Sequence, residues 1–304
     1  MANAITKTDV YSMVTDRIIE QMQNGIIPWH KPWCGISAGA VSYATGKPYS
    51  LLNQILLGKP GEWLTFKQIM DAKGRVKRGE KSSFVCFFKQ MSYTEVVKDE
   101  NGEEEKKSHT FPMLRYYNVF HISQCEGIES KIKDDETPEL QPCERAEQVV
   151  DGYYKRENCK LIKMESDSAF YSPDRDCVVV PLMEQFSVAD EYYSTLFHET
   201  THSTGAEKRL NRDFSGGFGS DPYAKEELVA ELGAAFLCNR CGLDSDKAFK
   251  NNTAYIQNWV RRFKEDKKMI VSAASKAEKA VKFILNGKDD EQRENHTRRV
   301  PRGS

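Results

Sequence analysis

Long apolar runs are absent from this chain. No segment reaches the roughly 20 residues that cross a bilayer, and no signal-like leader opens the sequence, so neither a spanning helix nor a membrane partner is expected. Paired cysteine motifs are scarce too. The eight cysteines fall at irregular spacing, with one C-x-x-C at Cys238 and Cys241 and no second such pair. Free thiols in a reducing cytoplasm are therefore the expectation, with Cys238 and Cys241 as small core residues of a helix. Net charge is nearly nil, at −1, but it is unevenly spread. Residues 1–92 hold twelve Lys and Arg against six Asp and Glu, which leaves the remainder at minus seven. The two parts face different electrostatic partners.

What is present organises into an α+β protein of two domains. A polar, aperiodic stretch from Glu129 to Cys143 reads as a linker. It separates residues 1–128 from residues 144–287. A basic tail at 288–304 reads as disordered, and its Val300-Pro301-Arg302-Gly303-Ser304 looks like a tag remnant. In the first part, Val10, Met13, Val14, Ile18 and Met22 mark an amphipathic helix from Thr8 to Asn24. Leu51 to Leu57 reads as a short buried helix, and Trp63 to Ala72 as another. A basic turn, Val76 to Lys81, leads to a strand at Ser83 to Lys89 that pairs with Phe111 to Phe120. Between them, Thr94 to Ser108 reads as a charged, mobile extension around an Asn101-Gly102 turn. The second part reads as a helix at Glu144 to Tyr154, three short strands, two helices, and a helix pair from Thr253 to Leu285.

The chemistry concentrates at His198-Glu199-Thr200-Thr201-His202. On a helix, residues four apart lie one above the other, so both imidazoles reach one metal ion while Glu199 projects toward a bound water. That is the minimal machinery of a zinc hydrolase, with Glu199 as general base. Ser187 reads as the helix N-cap and Gly205 as its stop. Catalytic zinc commonly takes a third protein ligand. The helical run Tyr223 to Leu237 supplies candidates, because Tyr223, Glu227 and Glu231 share a face and Ala230, Gly233 and Ala234 permit close approach. We expect Glu227 as third ligand, Glu231 as acceptor from a ligand histidine, Glu226 as the fallback, and Tyr223 as oxyanion stabiliser. The competing readings are a solvated helix face bearing two histidines, and a structural zinc, which would want four closed ligands.

The basic first part interleaves aromatic rings with cations. Trp29, Trp33 and Tyr49 lie among Lys31, Lys47, Lys67, Lys73, Arg75, Lys77, Arg78 and Lys81. That mixture suits single-stranded DNA, where cations follow phosphates and rings stack on unpaired bases. Two of the tryptophans are expected to be core, and the Lys73 to Lys81 turn to contact phosphates.

The series of motifs is more specific than any single one. Gly25-Ile26-Ile27-Pro28-Trp29, Gly46-Lys47-Pro48-Tyr49, Asn53, Trp63 to Gln68 and Val76 to Lys81 resemble the N-terminal domain of the ArdC antirestriction family and the related plasmid TraC primases. Ala169 to Asp174, Asp176, Pro181, His198 to Gly205, Arg209-Leu210 and the Tyr223 run resemble the same family's second half. The resemblance implies a single-stranded-DNA-binding domain joined to a zincin-like metallopeptidase domain, a small sheet plus a helix bundle, on a mobile element that protects incoming DNA. It also implies His198, His202 and Glu227 as ligands, and a restriction enzyme or DNA-bound protein as target. A protein that coats single strands with an idle or structural zinc site is the alternative.

Overall fold

The computed structural model describes residues 9–29, 39–98, 104–132, 142–214, 220–243 and 253–286. Lys31, Trp33, the Asn101-Gly102 turn, most of the expected linker and the 288–304 tail lie outside them. The first helix, α1 (Val10–Gln23), opens where the Asp9 carboxylate accepts from the Tyr11 amide, and it buries Val14, Ile18 and Met22 along one stripe. The second, α2 (Leu51–Leu57), is buried at every position and stops at Gly58 in the left-handed conformation. Within it Asn53 bonds both ways with the Cys86 backbone, donating from Nδ2 at 2.9 Å and accepting at 2.7 Å. A buried amide is thereby satisfied, and α2 is pinned to the sheet.

That sheet has four strands in the order β1-β2-β5-β4: β1 (Ala40–Ser42), β2 (Gly61–Leu64), β4 (Ser83–Lys98) and β5 (Glu104–His121). The helix expected from Trp63 is split. Trp63 sits in β2, and Thr65 starts a fresh helix, α3 (Phe66–Asp71), through a reciprocal capping box with Gln68. A short ribbon joins β3 (Arg75–Val76) to β6 (Cys125–Glu126). The extension from Thr94 to Ser108 continues the hairpin, pairing as far as Lys98 with Glu104. The segment has no alternation of apolar and polar residues, so hydrophobic pattern gave no sign of pairing.

The second part begins with α4 (Pro142–Glu157) and a three-stranded sheet in the order β7-β9-β8: β7 (Lys160–Met164), β8 (Phe170–Ser172) and β9 (Cys177–Pro181). Four helices follow: α5 (Ala189–Ser203), α6 (Asp221–Cys241), α7 (Thr253–Glu265) and α8 (Met269–Asn286). The cap of α5 is Val188, one residue beyond the expected Ser187, whose amide instead donates to Glu191. Cys238 and Cys241 are buried in the core. No helix among the described residues is long and apolar enough to cross a membrane.

The two parts share one hydrophobic core. A single cluster joins Val14, Ile18, Trp29 and Ile55 to Leu228, Trp259, Phe263 and Ile270. Trp29 is its bolt: 1% exposed, it meets Phe263 edge-on at 6.2 Å, and Phe263 in turn stacks on Trp259. Replacing Trp29 with Ala should cost about 3–5 kcal/mol. Because the core is continuous, the loss should appear as one earlier urea transition seen by both α1–α3 and α5–α6 probes. Two separated transitions, with the second unchanged, would contradict a shared core.

Candidate metal centre

The helix carrying the H-E-x-x-H motif is braced from behind and approached closely from one side. Tyr153 and Tyr154 of α4 bond Ser203 and Thr200 of α5 at 2.7 and 2.8 Å, satisfying buried hydroxyls on its rear face. On another face α6 crosses at Gly233, where a Cβ would lie 2.7 Å from Thr201. Gly233 is thus required for packing. Gly205, expected as a helix stop, has its own steric role: a Cβ there would strike the Phe214 ring at 2.5 Å.

This approach gathers three ligand atoms. His198 Nε2 lies 3.1 Å from His202 Nε2 and 3.5 Å from Glu227 Oε2, and His202 Nε2 lies 3.4 Å from Glu227 Oε1. One ligand atom from each of the three residues lies within 4.8 Å of the other two, a spacing that suits a single divalent metal with donors about 2 Å away. Burial opposes a charged His202, yet hydrogen bonds to Glu226 and Glu227 outweigh it and lift its pKa to about 9. Burial would raise the Glu227 carboxyl as well, but the two histidines hold it well below the usual range. The site is electronegative and wants a cation. Glu199, only 9% exposed, shares a cleft of about 390 Å³ with these ligands, walled by Phe170, Tyr171, Phe214 and Tyr223. Burial and the neighbouring Glu227 push the Tyr223 hydroxyl to about 12, so at neutral pH it remains a donor.

The acceptor behind the histidines is Glu226. Its Oε1 lies 3.2 Å from His202 Nδ1. An ionised carboxylate only accepts, so Nδ1 carries a proton in either charge state, and Nε2 would present its lone pair once a bound metal takes the place of its proton. Glu226 is held by Arg212, whose Nε and Nη2 donate at 2.9 and 2.8 Å. Arg212 also donates to the Thr201 carbonyl and the Thr204 hydroxyl, both at 2.7 Å. Sequence reasoning missed Arg212, since a cation fourteen residues from its partner in a loop carries no periodic signal. Glu231, expected in the acceptor role, instead takes a hydrogen bond from the Tyr255 hydroxyl beneath the site. Complete burial raises its pKa to about 7, against the opposing Tyr255 bond.

A second network anchors the chain after α5. Arg209 clasps Asp176 with Nη1 and Nη2 at 2.7 and 2.9 Å, and Tyr171 donates to the same carboxylate at 2.9 Å. This ties the β8–β9 turn to the loop bearing Arg212.

The nucleic-acid candidates are dispersed. Trp29 is enclosed in the shared core and offers no face to a base, which corrects its assignment; Trp63 is likewise core at 3% exposure. Lys47, Lys67, Lys73, Arg78 and Lys81 are exposed, and Tyr49 is half-buried. Arg75 is paired with Glu126 at 2.6 Å, and Lys77 donates to the Ser123 carbonyl at 2.8 Å. Both serve the β3–β6 ribbon. Exposed rings that were not anticipated, Phe87 and Tyr117, lie on the β4–β5 hairpin.

Fold and site together define a zincin-like metallopeptidase centre packed against a smaller α+β region. Family models agree: residues 148–276 match the zincin-like metallopeptidase model, and residues 8–120 match the N-terminal domain of anti-restriction factor ArdC. The chain belongs to the ArdC antirestriction family. It is similar to the crystal structures of antirestriction protein ArdC from plasmid R388, metal-free (33% identity, TM-score 0.68) and Mn(II)-bound (31%, TM-score 0.70), each alignment covering 92% of this chain and 98% of the other. It is 31% identical to uncharacterized protein y4eC of Sinorhizobium fredii over 95% of both chains. Two DNA primases TraC of Escherichia coli are 33% and 30% identical over 93% of this chain, which spans only 27% and 20% of their length.

Two outcomes test the site. Glu226→Gln should weaken metal binding roughly 10- to 100-fold by chelator competition, while Glu231→Gln changes it little; the reverse order would restore Glu231 as the histidine's acceptor. For Asp176, burial pushes the carboxyl up, but bonds from Arg209, Lys208 and Tyr171 outweigh it and hold its pKa below the ordinary value. Its stabilisation is therefore complete above about pH 4 and is lost as pH falls further. Asp176→Asn should lower Tm at pH 7 and converge on the parent in acid. A constant Tm difference down to pH 2 would refute that.

Proposed function

We propose that this protein is a zinc metallopeptidase guided to single-stranded DNA, cutting a DNA-bound protein such as a restriction enzyme in the cytoplasm of a cell receiving a mobile element. The observation that supports it most is the triangle of His198, His202 and Glu227 ligand atoms opening into the same cleft as Glu199. Two nitrogens and one carboxylate oxygen in that geometry suit zinc and leave a fourth position open. Zinc bound there would polarise a water and a peptide carbonyl.

The protein's own groups do the rest. Glu199 accepts a proton as the water oxygen bonds to the carbonyl carbon, then returns it to the amide nitrogen as the C–N bond breaks. Glu226 keeps His202 in its Nδ1–H tautomer throughout. The Tyr223 hydroxyl, now directed at Glu227, is placed to donate to the oxygen that gains charge. Among the described residues β8 pairs on one side only, with β9. Its outer edge beside the cleft suits an extended peptide, which would add as a further strand.

The DNA part of the reading rests on the match of residues 8–120 and on the basic surplus of residues 1–92. Glu199→Gln should keep metal and single-stranded DNA binding while reducing cleavage of a DNA-bound protein by about 100-fold or more. If protection of incoming DNA persists at full strength in that variant, the protein works by coating DNA, and the peptidase reading falls.

A further inference from the structure

The β4–β5 hairpin exposes rings that the core does not need. Register places Val85 opposite Tyr117 and Phe87 opposite Arg115, so all four side chains emerge on one face. At the root of that face Val85, Val119 and Trp63 are buried in a small core with Leu57. One step outward the cover ends: Phe87 is 43% exposed and Tyr117 is 48% exposed. Phe87 lies 6.0 Å from Tyr117 and 6.2 Å from Tyr49, with ring planes inclined at 61° and 45°. The three rings form a splayed cluster, partly exposed at Phe87 and Tyr117, rather than a closed stack.

The hairpin segments that carry Phe87 and Tyr117 hold charge of one sign. Arg115 stands directly opposite Phe87, Lys89 is the next residue on the same face, and Lys47 precedes Tyr49 across a turn. All three are exposed. No Asp or Glu occurs in residues 83–91 or 111–119. By contrast, the Lys73 to Lys81 turn has Arg75 paired with Glu126 and Lys77 tied to the backbone.

We infer that single-stranded DNA binds along this hairpin face, with unpaired bases stacking on Phe87 and Tyr117 at the Tyr49 platform and phosphates drawn to Arg115, Lys89 and Lys47. Exposed rings on strands that carry cations and no acid match that ligand; a duplex, whose bases are already stacked, offers such rings nothing. The inference rests on the single-strand part of the proposed function and names its site.

The test uses the full-length metal-loaded protein and a fluorescent 20-nucleotide oligo-dT. Phe87→Ala and Tyr117→Ala should each weaken binding roughly 5- to 100-fold, with metal content and Tm retained. Phe87→Leu, which keeps apolar bulk without a π-face, should fail like the alanine variant. Arg115→Gln with Lys89→Gln should lower the slope of log affinity against log salt by about 1.4, at about 0.7 per phosphate contact, whereas the ring variants leave the slope unchanged. Parental oligo-dT binding by a Phe87→Ala/Tyr117→Ala protein overturns this site and leaves the proposed function standing. Restoration by Phe87→Leu also overturns it. Failure of the unaltered protein to bind oligo-dT overturns both.

Discussion

The crossing of α5 and α6 at Thr201 and Gly233 is the contact on which the rest of the site depends. Ligands on one helix can fix only an edge of a coordination triangle; the third atom must arrive from a second backbone at a set distance. A Cβ at position 233 would overlap the Thr201 side chain and hold the helices apart. Helix separation depends on the side chains at the contact, and glycine permits the shortest distance. The same closeness brings Glu226 within reach of His202 Nδ1 while its neighbour Glu227 reaches both Nε2 atoms. Adjacent residues on a helix diverge by about 100°, so one carboxylate holds the histidine from its far nitrogen as the other faces the ligand side.

That arrangement is stiffened from outside. Tyr153 and Tyr154 hold the rear of α5, Arg212 joins its end to Glu226, and Arg209 joins the following loop to Asp176 at the β8–β9 turn. α6 also reaches past the metal centre into the core built around Trp29 and the α7 aromatics. The two family regions are therefore mechanically continuous: Glu227 and the residues that pack on Trp29 lie on one helix. The proposed DNA-binding face on the first region and the cleft in the second are held in a defined relation by packed side chains rather than by a tether.

Much of this was legible in the residues. The spacing of His198 and His202, the small positions facing them and the phase of Glu227 are consequences of helical geometry, and α2 begins and ends where its apolar run does. Other features required tertiary information. Glu226 and Glu231 are the same residue type five positions apart on one helix; it is Glu226 that meets His202, with Arg212 arriving from a loop to hold it. Trp29 sits beside a proline among cations, a pattern shared by stacking platforms and core anchors, and only the presence of α7 against it decides. Phe87 and Tyr117 read as ordinary strand residues until their exposure shows that the small core around Val85 stops short of them. The charged continuation of the hairpin carries no alternation of apolar residues, so its pairing had no hydrophobic signal in the sequence.

Charge balance explains why so many carboxylates can crowd one site. A divalent ion held by Glu227 and two neutral histidines would carry one net positive charge, in the cleft that Glu199 also lines. Glu226 is cancelled by Arg212, so its hydrogen bond orients His202 without adding a free anion. Glu231 is the remaining acid, one turn below Glu227, and full burial raises its pKa to about 7 while the Tyr255 hydroxyl supplies a donor. Its charge is thus suppressed where no cation stands beside it. Glu226, Glu227 and Glu231 are chemically identical side chains within six residues, and their different partners, Arg212, the two histidines and Tyr255, give each a different electrostatic setting.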